Sequence, residues 1–185
     1  MISATRRVGG VLLLCLLVAF VLSNRMLEAT PAANARELCG VERWTVKTLQ
    51  DRPHLIPVRD TTIAYLVGRP RRVSLPDRRL PFERHIFRVT AAVTLVREED
   101  DGDLHLVLSD GHRTMIAESP SSPSCASHAT PTRRRQMAQA RNHVRLCGRA
   151  SVTGVAFFDF FHGQTGVAPN AIELHPVLSF RCLSG

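Results

Sequence analysis

The spacing of apolar residues changes along this chain, and each change marks an element. From Phe87 to Val96, "FRVTAAVTLV" places Phe87, Val89, Ala91, Val93 and Leu95 on one face, which predicts a half-buried strand. "DLHLVLSD" repeats the alternation with Leu104, Leu106 and Leu108 inward. Asp110-Gly111 is a hairpin turn pair, and "RTMIAES" follows as a third strand. Met137, Ala140, Val144 and Cys147 then recur at helical spacing. Thr130-Pro131 supplies the N-cap and first-turn proline of that helix, and Gly148 its end. "ASVTGVAFFDF" and "AIELHPVLSF" predict a fourth and a fifth strand, the last bulged or at an edge because Pro176 cannot donate to a ladder.

Three strands, a helix and two strands is the order of an OB-like barrel, a closed five-stranded Greek key (β-β-β-α-β-β). A mixed sandwich is the alternative. Upstream, "CGVERWTVKTL" reads as a short strand, Asp60-Thr61-Thr62 as the cap of a helix through Val67, and Gly68–Pro81 as a loop. The chain therefore divides into residues 1–35, an N-terminal extension and linker over 36–81, and a mainly β barrel domain over 82–185.

Composition changes this picture at the N-terminus. Arg6 and Arg7 precede an uncharged apolar run from Val8 to Ser23, the form of a secretory signal peptide with an A-x-A site at Ala33–Ala35. The long stretch before that site keeps an uncleaved anchor in the inner membrane as the alternative. The chain is expected to be exported, to the periplasm or beyond. Without residues 1–35 four cysteines remain, Cys39, Cys125, Cys147 and Cys182, which suits two disulfides in an oxidising compartment. Cys39–Cys125 with Cys147–Cys182 is the favoured pairing, over Cys125–Cys147 with Cys39–Cys182. The formal charge is +8, but Lys47 is the only lysine. An arginine bias of that kind follows from a GC-rich coding sequence, so the charge says little about nucleic acid.

Polar residues fall on coherent faces of the predicted strands. "REEDDGD" gathers acids at the first barrel turn, where Asp100, Asp101 and Asp103 offer oxygen ligands to a divalent cation, or simply a solvated turn. That loop flanks the usual OB binding face and repels phosphates, so nucleic acid is not expected there. His105, Glu118, Glu173 and His175 share one side of neighbouring strands, with His162 on the adjoining loop. This set is capable of acid–base work or of holding a transition metal, or it is a hydrogen-bonded network bracing the barrel. Arg133, Arg134 and Arg135 open the helix, as a solvated end or as a contact for a polyanion.

Two resemblances bear on function. "DGDLHLVLSDGHRTMIAESP" resembles the core of staphylococcal-nuclease-type domains, which are OB-folds. That likeness implies Asp103 and Glu118 as metal ligands and Arg113 as a phosphate-binding arginine; Asp101 of the acidic turn is a further candidate ligand read from the turn itself. The family's general-base glutamate follows the proline directly, and Ser121 stands there instead. "ERWTVKTL", "DGDLHLVLSD", "MIAE" and "AIELHPVL" also resemble an uncharacterised group of bacterial exported proteins, which implies a small exported β-rich domain. The expected role is non-enzymatic binding of an envelope or extracellular ligand or partner, without a cofactor. The alternative is a divalent-metal-dependent hydrolase of nuclease type.

Overall fold

The structure, a computed structural model, describes residues 42–121 and 125–185. Its strands are β1 (Ile56–Thr61), β2 (His85–Glu98), β3 (Leu104–Ser109), β4 (Thr114–Ser119), β5 (Cys147–Phe158) and β6 (Ile172–Ser184). They lie in the order β1-β2-β3-β4-β6-β5, and β2 also pairs with β5, which closes β2 to β6 into a five-stranded barrel. All barrel pairings are antiparallel except β4–β6, which is parallel. This is the OB-like barrel of the sequence reading, with β1 added parallel to β2.

The alternating residues of β2 point where the pattern says. Phe87, Val89, Ala91 and Val93 enter the core with Leu106 and Leu108 of β3, and a register shift between Val93 and Leu95 ends the run. Phe158 fills the same core from β5, whereas Phe160 and Phe161 beyond the strand are 39% and 43% exposed. A helix, α3 (Pro131–His143), follows the β3–β4 hairpin and is capped by the Thr130 side chain, which accepts from the Arg133 N–H. Its Met137 packs with Val155 and Leu178 on the outside of the barrel.

Four expectations need correction or completion. α3 stops at His143, four residues before Cys147. Cys147 instead opens β5 opposite Val93 and is bonded to Cys182 of β6, so ladder and disulfide override its helical spacing. "WTVK" is one helical turn, α1 (Trp44–Lys47), not a strand; Val46 is its buried residue, and Leu49 is buried just beyond it. β1, an exposed strand, had no clear alternation to reveal it. β6 is bulged, with register shifts opposite Gly154 of its neighbour β5, yet it lies inside the sheet between β4 and β5. A side chain at Gly154 would meet Leu174 Cβ at 2.8 Å and the Pro176 carbonyl at 3.1 Å, so the bulge requires glycine there.

The short helix α2 (Ile63–Val67) is capped by Thr62 as expected, and Gly68–Leu80 is irregular before a 3-10 turn at Pro81–Arg84. The Cys147–Cys182 bridge has a Cα separation of 5.9 Å. Cys125 is buried, and its expected partner Cys39 lies outside the described residues, as do residues 1–35, where the export signal was expected. Among the described residues no helix is long and apolar enough to cross a membrane.

Candidate functional site

The outer face of β3, β4 and β6 carries a buried ionic cluster. Register makes it: His105 stands opposite Glu118 across β3–β4, and Ile116 and Ala117 of β4 pair with Glu173 and Leu174 of β6. Period two then sends His105, Glu118, Glu173 and His175 outward while Leu106, Ala117 and Leu174 fill the core. The outward face is nonetheless covered. Glu118 is 7% exposed and His105, Glu173 and His175 at most 1%. Part of the cover is the loop after β5, whose Gly166 (φ +85°) lies so close to Val107 that a Cβ would come within 2.5 Å of it.

Glu118 is the hub. Its Oε1 lies 3.1 Å from His105 Nδ1, and its Oε2 lies 3.0 Å from His175 Nδ1. His105 Nε2 is 2.9 Å from the Thr165 carbonyl. A carboxylate and a carbonyl only accept, so His105 donates from both nitrogens as an imidazolium. His175 likewise faces carboxylates at both ends, with Nε2 3.4 Å from Asp103 Oδ2, though neither contact is aligned as a hydrogen bond. Lys47 of α1 completes the chain, its Nζ 3.3 Å from Asp103 and 3.5 Å from Asp101.

The environment orders the protonation states. Burial would lower His175, but Glu118, Glu173 and Asp103 outweigh it and hold the ring at about 10. His105 is also raised, burial being outweighed by its bonds to Glu118 and Thr165. Lys47 is held above its ordinary range, burial again losing to Asp103, Glu118 and Asp101. Burial raises Glu118, but its two histidines overcome that and hold it well below the usual carboxylate range. Glu173 goes the other way: full burial, then the charge of Glu118, raise it well above that range. Burial also raises Asp103, against His175 and Lys47.

The cluster opens toward a cavity of about 280 Å³ lined by Glu42, Lys47, Glu99, Asp101, Glu118, Asp159, His162 and Gln164. His162 stands on this cavity wall, 2.7 Å from Glu42 and partly exposed. Burial raises the carboxyl of Asp159. Donor atoms of Asp103, Glu118 and His175 lie within 4.8 Å of one another, as do those of Glu99, His105 and Glu118, and of Glu42, Asp159 and His162. Asp103 Oδ1, both oxygens of Glu173 and both ring nitrogens of His175 are buried without a hydrogen-bond partner. The Asp103–Glu118–His175 donors therefore suit a divalent ion, at the expense of the His175 proton and against the neighbouring Lys47 charge.

Of the residues singled out in the sequence, Asp103, His105, Glu118, Glu173 and His175 come together. Asp101 joins through Lys47. Arg113 does not: it sits at the other end of the β3–β4 hairpin, five residue steps from Glu118 or roughly 17 Å along. It is half exposed and 3.7 Å from Asp110. The nuclease-like trio of Asp103, Arg113 and Glu118 thus does not converge.

Sequence reasoning missed Lys47, although its standing as the single lysine was a clue. It also missed Arg43, which runs along the edge of this site. Arg43 lies 4.8 Å over the Phe157 ring, and Phe157 lies 5.5 Å from the His175 ring. The Arg43 guanidinium pairs with Glu83 at 2.7 Å and 2.8 Å.

No protein family and no curated protein matches this chain. Among solved structures, asparaginyl-tRNA synthetase of Entamoeba histolytica aligns at 11% identity over 70% of this chain and 24% of its own, with a TM-score of 0.39. Aspartyl-tRNA synthetase of the same organism aligns at 17% identity over 71% of this chain and 26% of its own, with a TM-score of 0.39. A putative aspartyl-tRNA synthetase of Leishmania major aligns at 15% identity over 54% of this chain and 17% of its own, with a TM-score of 0.39. The chain thus spans about a quarter or less of those proteins. At such scores the likeness carries no argument; the barrel assignment rests on the strand pairing itself.

Proposed function

We propose that this chain is an exported OB-like domain with a non-enzymatic binding role, its ligand or partner lying in the envelope or outside the cell. The observation that supports this reading is the mutual occupation of the candidate catalytic groups. Glu118 faces a histidine with each oxygen, and His105 spends its second nitrogen on the Thr165 carbonyl. A general base must be free to take a proton from a bound substrate. Here the imidazoles already carry theirs, and the ionised hub is engaged on both sides. The cluster instead ties α1, the β2–β3 turn, β3, β4, β6 and the loop carrying Thr165 together. Bracing of this kind closes the usual OB face and leaves binding to other surfaces.

The second reading is a divalent-metal-dependent hydrolase of nuclease type. It is favoured by the unpartnered oxygens of Asp103 and Glu173 beside the Asp103–Glu118–His175 donors. A bound ion there would supply Lewis-acid assistance, Asp103, Glu118 and His175 holding it. One assay separates the two. Pure protein lacking residues 1–35 is incubated with single-stranded DNA and calcium, magnesium or manganese, and no cleavage is expected. Metal-dependent cleavage that disappears in Asp103→Ala overturns the binding reading. Export is tested independently: mass spectrometry of protein taken from cells should find an N-terminus near Arg36, whereas an intact Met1 in the cytosolic fraction refutes it.

A further inference from the structure

We propose that a second cavity, lined by Arg88, Arg133 and Arg181, binds a small organic anion, its phosphate or carboxylate held by the arginines and its apolar body by Ile86, Leu178 and Val58. The inference rests on the binding reading above and names a ligand class for it. The cavity measures about 670 Å³ and shares no residue with the histidine cluster or its acidic mouth. That volume is in the range of small-molecule sites.

The strand register builds its polar wall. Arg88, Thr153 and Ser179 stand side by side on β2, β5 and β6, and Ser151 pairs with Arg181 in the next row. Their neighbours Phe87, Val89, Val152 and Phe180 face the core, so this row faces out. α3 crosses beside it and adds Arg133 and Gln136. The wall therefore presents three guanidiniums and three hydroxyls, and no carboxylate lines it.

The arginines are short of counter-charge. Among the described residues Arg133 and Arg181 make no ion pair, and the Arg133 guanidinium is bonded only to the Gln136 side chain, at 2.8 Å. Arg88 reaches Asp60 at 3.3 Å, but that carboxylate is 79% exposed and holds it weakly. Arg133 is partly buried, and burial alone depresses its pKa. A partly desolvated cation without a partner is costly, and an entering anion relieves that cost. Guanidinium forks match the planar oxygens of carboxylate and phosphate, which makes such groups the fitting head. Apolar side chains on the same wall, with Val58 44% exposed on β1, favour a ligand with a hydrophobic body over a bare ion.

The test is calorimetric titration of the disulfide-intact protein with phenyl phosphate, inorganic phosphate and phenol. Saturable binding of phenyl phosphate is expected, tighter than inorganic phosphate and weakened by salt, with no binding of phenol. Arg133→Gln with Arg181→Gln should weaken it by roughly tenfold or more, the loss of charge-assisted hydrogen bonds. Both side chains lie on the cavity wall outside the core, so thermal unfolding of the double variant should match the parent. Arg145→Gln, an exposed arginine outside the cavity, should leave binding unchanged. Absence of saturable binding, equal binding in the double variant, or inorganic phosphate binding as tightly as phenyl phosphate overturns the proposal. So does retention on phosphatidylglycerol vesicles without phenyl phosphate binding. Failure here removes this site alone, whereas cleavage lost in Asp103→Ala removes the binding reading without altering the arginine result.

Discussion

Two buried ionic assemblies lie next to each other in this protein, and they differ in how completely their atoms are satisfied. Arg43 uses all five of its donor positions: two on Glu83, and one each on the carbonyls of Pro76, Arg78 and Phe158. Glu83 accepts four bonds in return, from Arg43 twice and from the backbone N–H groups of Leu80 and Phe158. The neighbouring cluster of Asp103, His105, Glu118, Glu173 and His175 leaves buried polar atoms of Asp103, Glu173 and His175 without a hydrogen bond. A saturated pair is a joint, here between the α1 segment, the Gly68–Leu80 stretch and the end of β5. An unsaturated cluster keeps ionisable groups off their ordinary pKa, and so makes stability answer to pH.

The largest effect should come from breaking the joint. Arg43→Ala or Glu83→Ala is expected to cost about 3–5 kcal/mol, because each strands a buried charge. Urea unfolding measures it. Arg43→Met with Glu83→Leu should cost less than either single change, since no charge is then left behind. A loss below ~1 kcal/mol for the single variants would mean that the saturated pair holds nothing together.

Glu118→Gln should cost less, about 2–3 kcal/mol by the same unfolding measurement, because the two histidines can shed their protons once the hub charge is gone. The signature is spectroscopic. His175 should titrate at about 10 in the parent and fall toward 6.5 in the variant, as read from its ring protons by NMR. An unmoved titration would show that Glu118 is not the hub.

The pH profile follows with its sign. His175 is raised in the folded state, so its contribution is complete below about 6.5 and is lost as pH rises through about 10. Glu118 is depressed, so its contribution is present above 4.5 and is lost as pH falls below that value. Stability of the parent should therefore decline at both ends. His175→Gln should flatten the alkaline decline, and an equally steep one in that variant would assign it to other groups.

The smallest effect should carry the opposite sign. Glu173 is raised well above 4.5, so folding holds a proton on a carboxyl that the unfolded chain releases at neutral pH. Glu173→Gln removes that cost and should stabilise the protein at neutral pH by on the order of 1 kcal/mol, with no gain below 4.5. Destabilisation at neutral pH would show that Glu173 is ionised and paired.

Much of the barrel was legible in the sequence because its rules are local. Alternation in "FRVTAAVTLV" and "DLHLVLSD", the Asp110-Gly111 turn and the caps Thr62 and Thr130 each depend on a few neighbouring residues, and each forms where expected. The outward histidines and glutamates followed once strand order was set, since parity alone puts them on one wall. Local rules failed where a distant partner outweighed them. Cys147 fits a helix by spacing, but Val93 and Cys182 hold it in β5. "WTVK" has no clear period, and its helical turn leaves Val46 fully buried.

By itself, then, the sequence determined periods, turns and caps, and through them the five strands of the barrel and the face their side chains take. These follow from backbone geometry over a few residues. Only the tertiary structure decided which charges meet: Arg43 with Glu83 across 40 residues, His105 with the Thr165 carbonyl across 60, and Lys47 with Asp103 across 56. Nothing in the spacing of those residues encodes the contact. Closure of the barrel brings them together, and their protonation then depends on the burial and neighbouring charge that closure creates.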